Sequence, residues 1–247
     1  PPRDLPAPVR ALWRLYHLSY GPQRLLLRGA DATVVVSETT AALVREHHLT
    51  TKPIHVVRNA AEPIGAPVTH TAPPTRRLVY MGSFMPYKGV DTLVRMAALL
   101  PEHELHLLSR MPQGEEARLR ALAPGARIVV HDGVTDAEYA DVLRSATALV
   151  HASHDEGFGI PLLESMALGV PVVASDIPIF REVAGDAGVY APVGDAQAFA
   201  DAVVRLEGEW PARSAASRAQ AATFSWDASA DALHAALAAT VAARGSR

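Results

Sequence analysis

Residues 147–175 read TALVHASHDEGFGIPLLESMALGVPVVAS. The apolar TALVHAS predicts a buried strand, IPLLESMALG a helix stopped by Gly169, and VPVVAS a second buried strand. Two continuous apolar strands linked through a helix form a βαβ unit, which calls for a parallel sheet covered by helices on both faces. Core packing accounts for Ile160, Leu162 and Leu163. It does not account for Glu156 and Glu164, two carboxylates eight residues apart around a Gly-Phe-Gly turn.

The alternation continues on both sides. Upstream, RLVYMGS, ELHLLSR and RIVVHDGV read as strands, with DTLVRMAALL, EEARLRALA and DAEYADVLRSA as the helices between them. Downstream, VYAPV and DAQAFADAVVRLE supply a further strand and helix. The fold class is therefore α/β. Ligands of such sheets sit outside the carboxyl ends of the strands. Those ends are MGSFMPYKG, LLSRMPQGE, HDGVTD, HASHDEGFG and ASDIP, where polar residues and glycines gather.

Nearer the start, ATVVVS and IHVVRN are strands around the helix ETTAALVREHH, for which Ser37 is the N-cap. The stretch AAEPIGAPVTHTAPPT has four prolines and a glycine and reads as a linker. It divides the chain into residues 1–64 and 65–247. The opening ALWRLYHLS, Gly21-Pro22 and QRLLLRGA predict helix interrupted by a turn. Arg10, Arg14, Arg24 and Arg28 interleave there with Leu, Trp and Tyr. An ordinary domain helix with arginines facing water is the plain reading, and a membrane-surface or partner helix the alternative.

The chain has 247 residues, enough for one large domain or two modest ones. A net charge of −3 shows no global bias toward nucleic acid or an anionic membrane. With no cysteine there are no disulfides, thiol catalysis or thiolate metal sites, which fits a cytoplasmic protein. No apolar run approaches the roughly 18 to 20 residues of a membrane span. The start, PPRDLPAPVR without an initiator methionine, reads as part of a longer protein.

GFGIPLLE has the makings of an anion cradle. Gly157 and Gly159 let the backbone approach a ligand, and the helix that follows offers free N–H groups and a positive dipole end. A plain strand-to-helix turn is the simpler alternative. The flanking acids suit hydroxyls: Glu156 those of a sugar, and Glu164 the hydroxyl pair of a ribose. In MGSFMPYKG, Gly82 ends a strand and Lys88 offers a cation for a diphosphate leaving group. The loop is neither a Walker loop nor a GxGxxG fingerprint. His151, His154 and Asp155 lack metal-ligand spacing, and His47, His48, His103 and His106 read as surface histidines. Ser153 and Ser175 lack a GxSxG elbow.

Glu156-Gly-Phe-Gly-Ile-Pro-Leu-Leu-Glu164, followed by MALGVPVVASDIPIFREVAGDAG, resembles the donor-sugar signature of retaining nucleotide-sugar glycosyltransferases of family four. GSFMPYKG, VVVSETTAALV, IHVVRNAAEP and FSWDASADALHAAL extend the likeness over roughly residues 30 to 240. The resemblance implies a Rossmann-like parallel sheet forming one half of a two-domain GT-B architecture. It implies a nucleoside-diphosphate sugar as donor and no metal. Glu156 would contact the transferred sugar and Glu164 the ribose; Lys88 with the backbone of Phe158, Gly159 and Ile160 would hold the diphosphate. Gly82 and Ser83 belong to the phosphate loop, and the segment containing His131, Gly133 and Val134 would meet the nucleobase. Glu156 and Lys88 are the catalytic candidates.

Two departures stand out. The family often has arginine where this chain has Ser83, so either one cation is lost or Arg110 replaces it. Only the end of the family's N-terminal, acceptor-side domain matches, as residues 1–64, so the chain is expected to be a donor-binding part. The acceptor is open: a glycan, a lipid-linked or a small molecule, the lipid case placing the protein at the inner face of a membrane. A nucleotide-sugar binding module acting with a partner chain and a sugar-nucleotide epimerase of the same architecture are the alternatives to a hexosyltransferase.

Overall fold

The structure, a computed structural model, describes residues 7–62, 64–69, 71–73 and 75–245. The chain divides into two compact units, Pro1–Ala60 with Phe224–Arg247, and Ala61–Thr223. The PPRDLP opening and the side chains of Trp13 and Tyr16 lie outside the described part.

The first unit begins with helices α1 (Ala7–Ser19) and α2 (Gly21–Arg28), parted at Tyr20 as the Gly-Pro pair predicts. Strand β1 (Thr33–Val35), helix α3 (Glu38–Glu46) and strand β2 (Ile54–Val56) then make one βαβ unit, with Thr33 opposite Ile54 in parallel register. Val35, Ala41 and Val44 form its core, with Leu49, Ile54 and Val56 packed against them. Ser37 is the N-cap of α3, its hydroxyl accepting the Thr40 N–H at 3.0 Å. Ser37→Ala is expected to cost about 1 kcal/mol, read as a lower urea midpoint. Arg24 does not simply face water: its guanidinium donates to the carbonyls of His47 and His48, just past the end of α3.

The second unit runs β3 (Arg77–Tyr80), α4 (Val90–Ala98), β4 (Glu104–Leu107), α5 (Glu115–Leu122), β5 (Ile128–Val130), α6 (Asp136–Arg144), β6 (Ala148–His151), α7 (Ile160–Leu168), β7 (Val172–Ser175), α8 (Pro178–Ala184), β8 (Val189–Ala191), α9 (Ala196–Gly208) and α10 (Trp210–Ala221). The six strands are all parallel, in the order β5-β4-β3-β6-β7-β8. From β3 the chain steps outward to β5, then crosses back to β6 and steps the other way. Right-handed crossovers in opposite directions put their helices on opposite faces. Accordingly α4 packs with α5 and α9, and α7 with α8 and α10. Leu78, Val79 and Tyr80 of β3 and Val172, Val173 and Ala174 of β7 have no exposed surface, as strands covered on both faces require.

Helices α8 and α10 go beyond the sequence reading. The first has only seven residues, and the second, WPARSAASRAQA, is rich in small residues with little contrast between faces. Trp210 anchors α10: it is buried, and its indole N–H donates to the Thr147 carbonyl at 2.9 Å.

The division at residue 64 assigns the last helix, α11 (Trp226–Gly245), to the unit that holds the six-stranded sheet, yet it groups with the first unit. The Ser229 hydroxyl donates to the Arg58 carbonyl, the Arg58 guanidinium lies 5.9 Å from the Phe224 ring centre, and Arg244 pairs with Asp31 at 3.5 Å. The observed division falls after Ala60, a few residues ahead of the expected boundary at 64. Among the described residues no helix is long and apolar enough to cross a membrane.

Candidate active site at the reversal of the sheet

The order of the strands reverses between β3 and β6, and the region outside their carboxyl ends is where open α/β sheets take their ligands. Two loops meet there. Residues 81–89 follow β3 and end in a 3₁₀ turn, Pro86–Lys88, stopped by Gly89 at φ 67°. Residues 152–159 follow β6. A Cβ on Gly89 would lie 2.1 Å from the Ala152 carbonyl oxygen, and the His154 N–H donates to the Tyr87 carbonyl at 2.8 Å. The loops are therefore fixed to each other. The first is also tied to the sheet: the Tyr80 hydroxyl donates to the Ser83 carbonyl at 2.6 Å, and the Gly82 N–H to the Ser109 hydroxyl at 3.0 Å. Burial, reinforced by the Glu156 charge, keeps Tyr80 protonated far above its usual range.

This arrangement brings Lys88 and Glu156 together. Lys88 Nζ lies 2.5 Å from Glu156 Oε1, and the side chains are only 15% and 12% exposed. The Ser153 hydroxyl donates to the same oxygen at 2.8 Å and lies 3.1 Å from Nδ1 of His151. His151 is buried, its ring 5.5 Å from that of Tyr80 and 5.3 Å from that of Phe180.

Beyond Glu156 the chain turns into α7. Gly159 takes φ 102°, with Phe180 packed where its Cβ would stand; Phe158 is buried, whereas Ile160, unlike Leu162 and Leu163, is exposed and not part of the core its sequence suggests. The N–H groups of Leu162 and Leu163 return to the Gly159 carbonyl, and Pro161 has none. Among the described residues, the donors this helix end offers a ligand are thus those of Gly159 and Ile160.

Glu164, a turn further on, is partly buried and accepts the Tyr139 hydroxyl on Oε2 at 3.0 Å. Burial raises its pKa, the Tyr139 hydrogen bond opposes that, and Asp136 adds to it. Tyr139 itself is pushed well up by burial and by Glu164.

The segment 131–134 follows β5, the outermost strand, and is tied to the loop after β4. The Gly133 N–H donates to the Leu108 carbonyl at 3.1 Å, and Asp132, at φ 52°, accepts the Met111 N–H. Val134 precedes Thr135, whose capping box with Glu138 starts α6. Arg110 is exposed, its Cβ 3.9 Å from where a Gly133 Cβ would be. His131 Nε2 is 2.9 Å from His106 Nδ1, and His106 Nε2 is 3.4 Å from Glu104.

His103 and His106 correct the sequence reading: both are buried rather than at the surface, the first bonded to Glu207 at 2.9 Å. Burial pushes His106 down to about 4, with the Arg77 charge adding to it; burial does the same to His151, against the Glu156 charge. The unfolded rings take up protons near about 6.5. The stability these neutral rings allow is therefore complete above that pH and lost as pH falls toward 4. Glu164, raised on folding, works in the opposite direction. A loss of about 2 kcal/mol per ring is expected between about pH 7.5 and pH 5. Urea titrations at both values check this, with His106→Gln showing the smaller pH dependence.

Tyr139, Ser153 and the buried His151 were not anticipated as partners of the two glutamates. For Ser153 the signal was its place three residues before Glu156; Tyr139 carried none. Among the described residues no three His, Cys, Asp or Glu side chains group as a metal site.

Residues 75–208 match the family model described as glycosyl transferases group 1. The O-antigen chain mannosyltransferase B of Escherichia coli is 31% identical over 160 residues, covering 60% of this chain and 42% of that protein. The phosphatidyl-myo-inositol mannosyltransferase of Mycobacterium leprae is 36% identical over 143 residues, covering 53% and 37%. The match thus spans about two fifths of each relative's length. A sucrose-phosphate synthase from Thermosynechococcus elongatus superposes with a TM-score of 0.78 at 24% identity, over 90% of this chain and 61% of that one. An Anabaena protein crystallised with UDP and glucose gives 0.75 at 17% identity, over 91% and 68%. These likenesses show the fold, a Rossmann-like parallel sheet of the GT-B kind.

Proposed function

The chain belongs to the glycosyl transferases of group 1, and on that premise we propose that it is the donor-binding part of a hexosyltransferase. The reaction is transfer of a sugar from a nucleoside-diphosphate sugar to an acceptor hydroxyl, with retention at the anomeric carbon. The observation that carries this reading is the meeting of Lys88, Glu156 and the start of α7 where the sheet reverses. A cation and a helix N-terminus suit a diphosphate, and a carboxylate held beside them suits the hydroxyls of the attached sugar.

In this reading the backbone of Gly82, Ser83, Gly157, Phe158, Gly159 and Ile160, with Lys88, surrounds the diphosphate. Glu156 orients the transferred sugar, and Glu164 takes the ribose hydroxyls with the part of its carboxylate that Tyr139 leaves open. The segment from His131 to Val134 borders the nucleobase. Breaking the anomeric C–O bond leaves negative charge on the departing diphosphate. Lys88 and the α7 N-terminus are in place to stabilise that charge as it develops, so charge neutralisation is assigned to them rather than to a metal. Arg110, beside Gly133, is not assigned to the diphosphate. The names of the relatives make mannose the first sugar to try.

The reading is tested by calorimetric titration with GDP-mannose, UDP-glucose and UDP-N-acetylglucosamine. One of them binds, and Glu164→Ala weakens that binding by about 10- to 100-fold, the loss of charge-assisted hydrogen bonds. Transfer is measured in the intact protein. Binding by this chain without transfer by the intact protein would instead favour a binding module. No binding of any nucleotide-sugar overturns the assignment.

A further inference from the structure

We propose that His151 and Ser153 are positioning residues that hold Glu156 by one carboxylate oxygen, Oε1, so that Oε2 faces the donor sugar. The role given to Oε2 rests on the functional reading above; the arrangement of protons does not. It follows from counting. A carboxylate only accepts, so the contact at 2.8 Å between Ser153 Oγ and Glu156 Oε1 contains the hydroxyl proton. Were that proton aimed at His151 instead, two acceptor oxygens would face each other at hydrogen-bond distance. The serine has no second proton, so the 3.1 Å contact with His151 Nδ1 must be a ring N–H donating to Oγ. Nδ1 of His151 therefore carries a hydrogen, and since burial keeps the ring uncharged at neutral pH it is the Nδ1–H tautomer. Its Nε2 carries a lone pair and lies 3.9 Å from Glu156 Oε1, too far for a hydrogen bond.

The relay runs from His151 through Ser153 to Glu156, and Lys88 meets the same terminal oxygen from the neighbouring loop. Neither relay member can turn away easily. Ser153 has no exposed surface, His151 is 2% exposed, and Tyr80 of β3 and Phe180 of α8 pack against the ring. The charged groups facing it are Glu156 and Lys88. Oε1 thus has two donors, whereas among the described residues Oε2 has none. An oxygen that accepts no protein donor, on a carboxylate that cannot rotate, is a specific acceptor for a ligand hydroxyl. Without the serine, Lys88 alone would set the carboxylate's angle.

Two measurements separate the arrangement from its use. Nitrogen-15 NMR of the histidine rings at neutral pH is expected to show His151 as the Nδ1–H tautomer; an Nε2–H tautomer overturns the relay whether or not the chain binds nucleotides. Affinities are then compared for a nucleoside diphosphate and its sugar conjugate, GDP with GDP-mannose or UDP with UDP-glucose. Ser153→Ala and His151→Leu are expected to lose about tenfold in affinity for the conjugate, while the free diphosphate, which lacks the sugar, binds as before. His151→Asn, whose amide N–H can take the place of Nδ1–H, restores most of the loss. Equal loss for both ligands, or no loss for either, overturns the positioning role. A wild-type chain that binds no nucleoside diphosphate overturns the functional reading and the role of Oε2 with it, and leaves the tautomer result to stand or fall by itself.

Discussion

Glu156→Gln is expected to reduce sugar transfer by the intact protein by about 10³-fold, on the scale of losing one preorganised electrostatic contact at a reacting centre. The substitution is nearly isosteric, so the loop and the Ser153 contact keep their shape. What disappears is the negative charge. Lys88, 15% exposed, then loses its Glu156 partner, and an amide replaces the carboxylate that the proposed arrangement sets against the donor sugar. The diphosphate does not touch this group in the proposed arrangement, and Lys88, released from its ion pair, remains to hold it, so the free nucleoside diphosphate should bind at least as tightly as before. Initial rates and diphosphate titrations measured together check the claim. A variant transferring within about tenfold of wild type would remove Glu156 from the chemistry.

Gly89→Ala is expected to be among the most damaging single methyl additions in the chain. The residue has φ 67°, and its new Cβ would stand 2.1 Å from the Ala152 carbonyl oxygen, inside any real contact distance. The left-handed backbone alone costs about 1 to 2 kcal/mol for a residue with a Cβ. The clash adds more, because its partner is backbone rather than a side chain that can turn away. A total loss above about 3 kcal/mol is expected, or else a parting of the two loops that separates Lys88 from Glu156. Gly114 is the control. It has φ 80° but nothing within 4 Å of its missing Cβ, so Gly114→Ala should show only the backbone cost. Urea midpoints of the two variants measure the difference, and equal midpoints would contradict the close approach at Gly89.

The sheet was legible in the sequence because its strands are buried on both faces and so appear as unbroken apolar runs. VVAS, the ALV of β6 and the LVY of β3 read this way, whereas ELHL alternates polar with apolar residues. The helix α7 was legible from Gly159 and Gly169, which bound it on either side with positive φ. Helix α10 was not, since alanine and serine on every side give no periodic contrast, and only the packing of Trp210 shows which way it faces. The grouping of α11 with the first sixty residues depends on Ser229 reaching Arg58, a pairing across 171 positions that no local pattern encodes.

The candidate site divides in the same way. Its glycines, Lys88 and the two glutamates could be picked out because their spacing is local and their residue types are out of place in a core. Their partners could not. Tyr139 stands 25 positions from Glu164 and looks like an ordinary apolar-face residue of α6 until the fold brings its hydroxyl to the carboxylate. His106 lies in β4, where only the sheet reveals that a histidine has been placed under cover.

The pairing of Lys88 with Glu156 spans 68 positions and joins two strands that are neighbours only because the chain returns from β5 to lie beside β3. The charged pair is therefore a property of the closed sheet and of neither half alone. A chain still being synthesised, with β3 to β5 outside the ribosome and β6 within it, carries the lysine but not its counter-charge. A site built from this pair exists only once β3 and β6 have come together, the pairing of longest sequence separation in the six-stranded sheet.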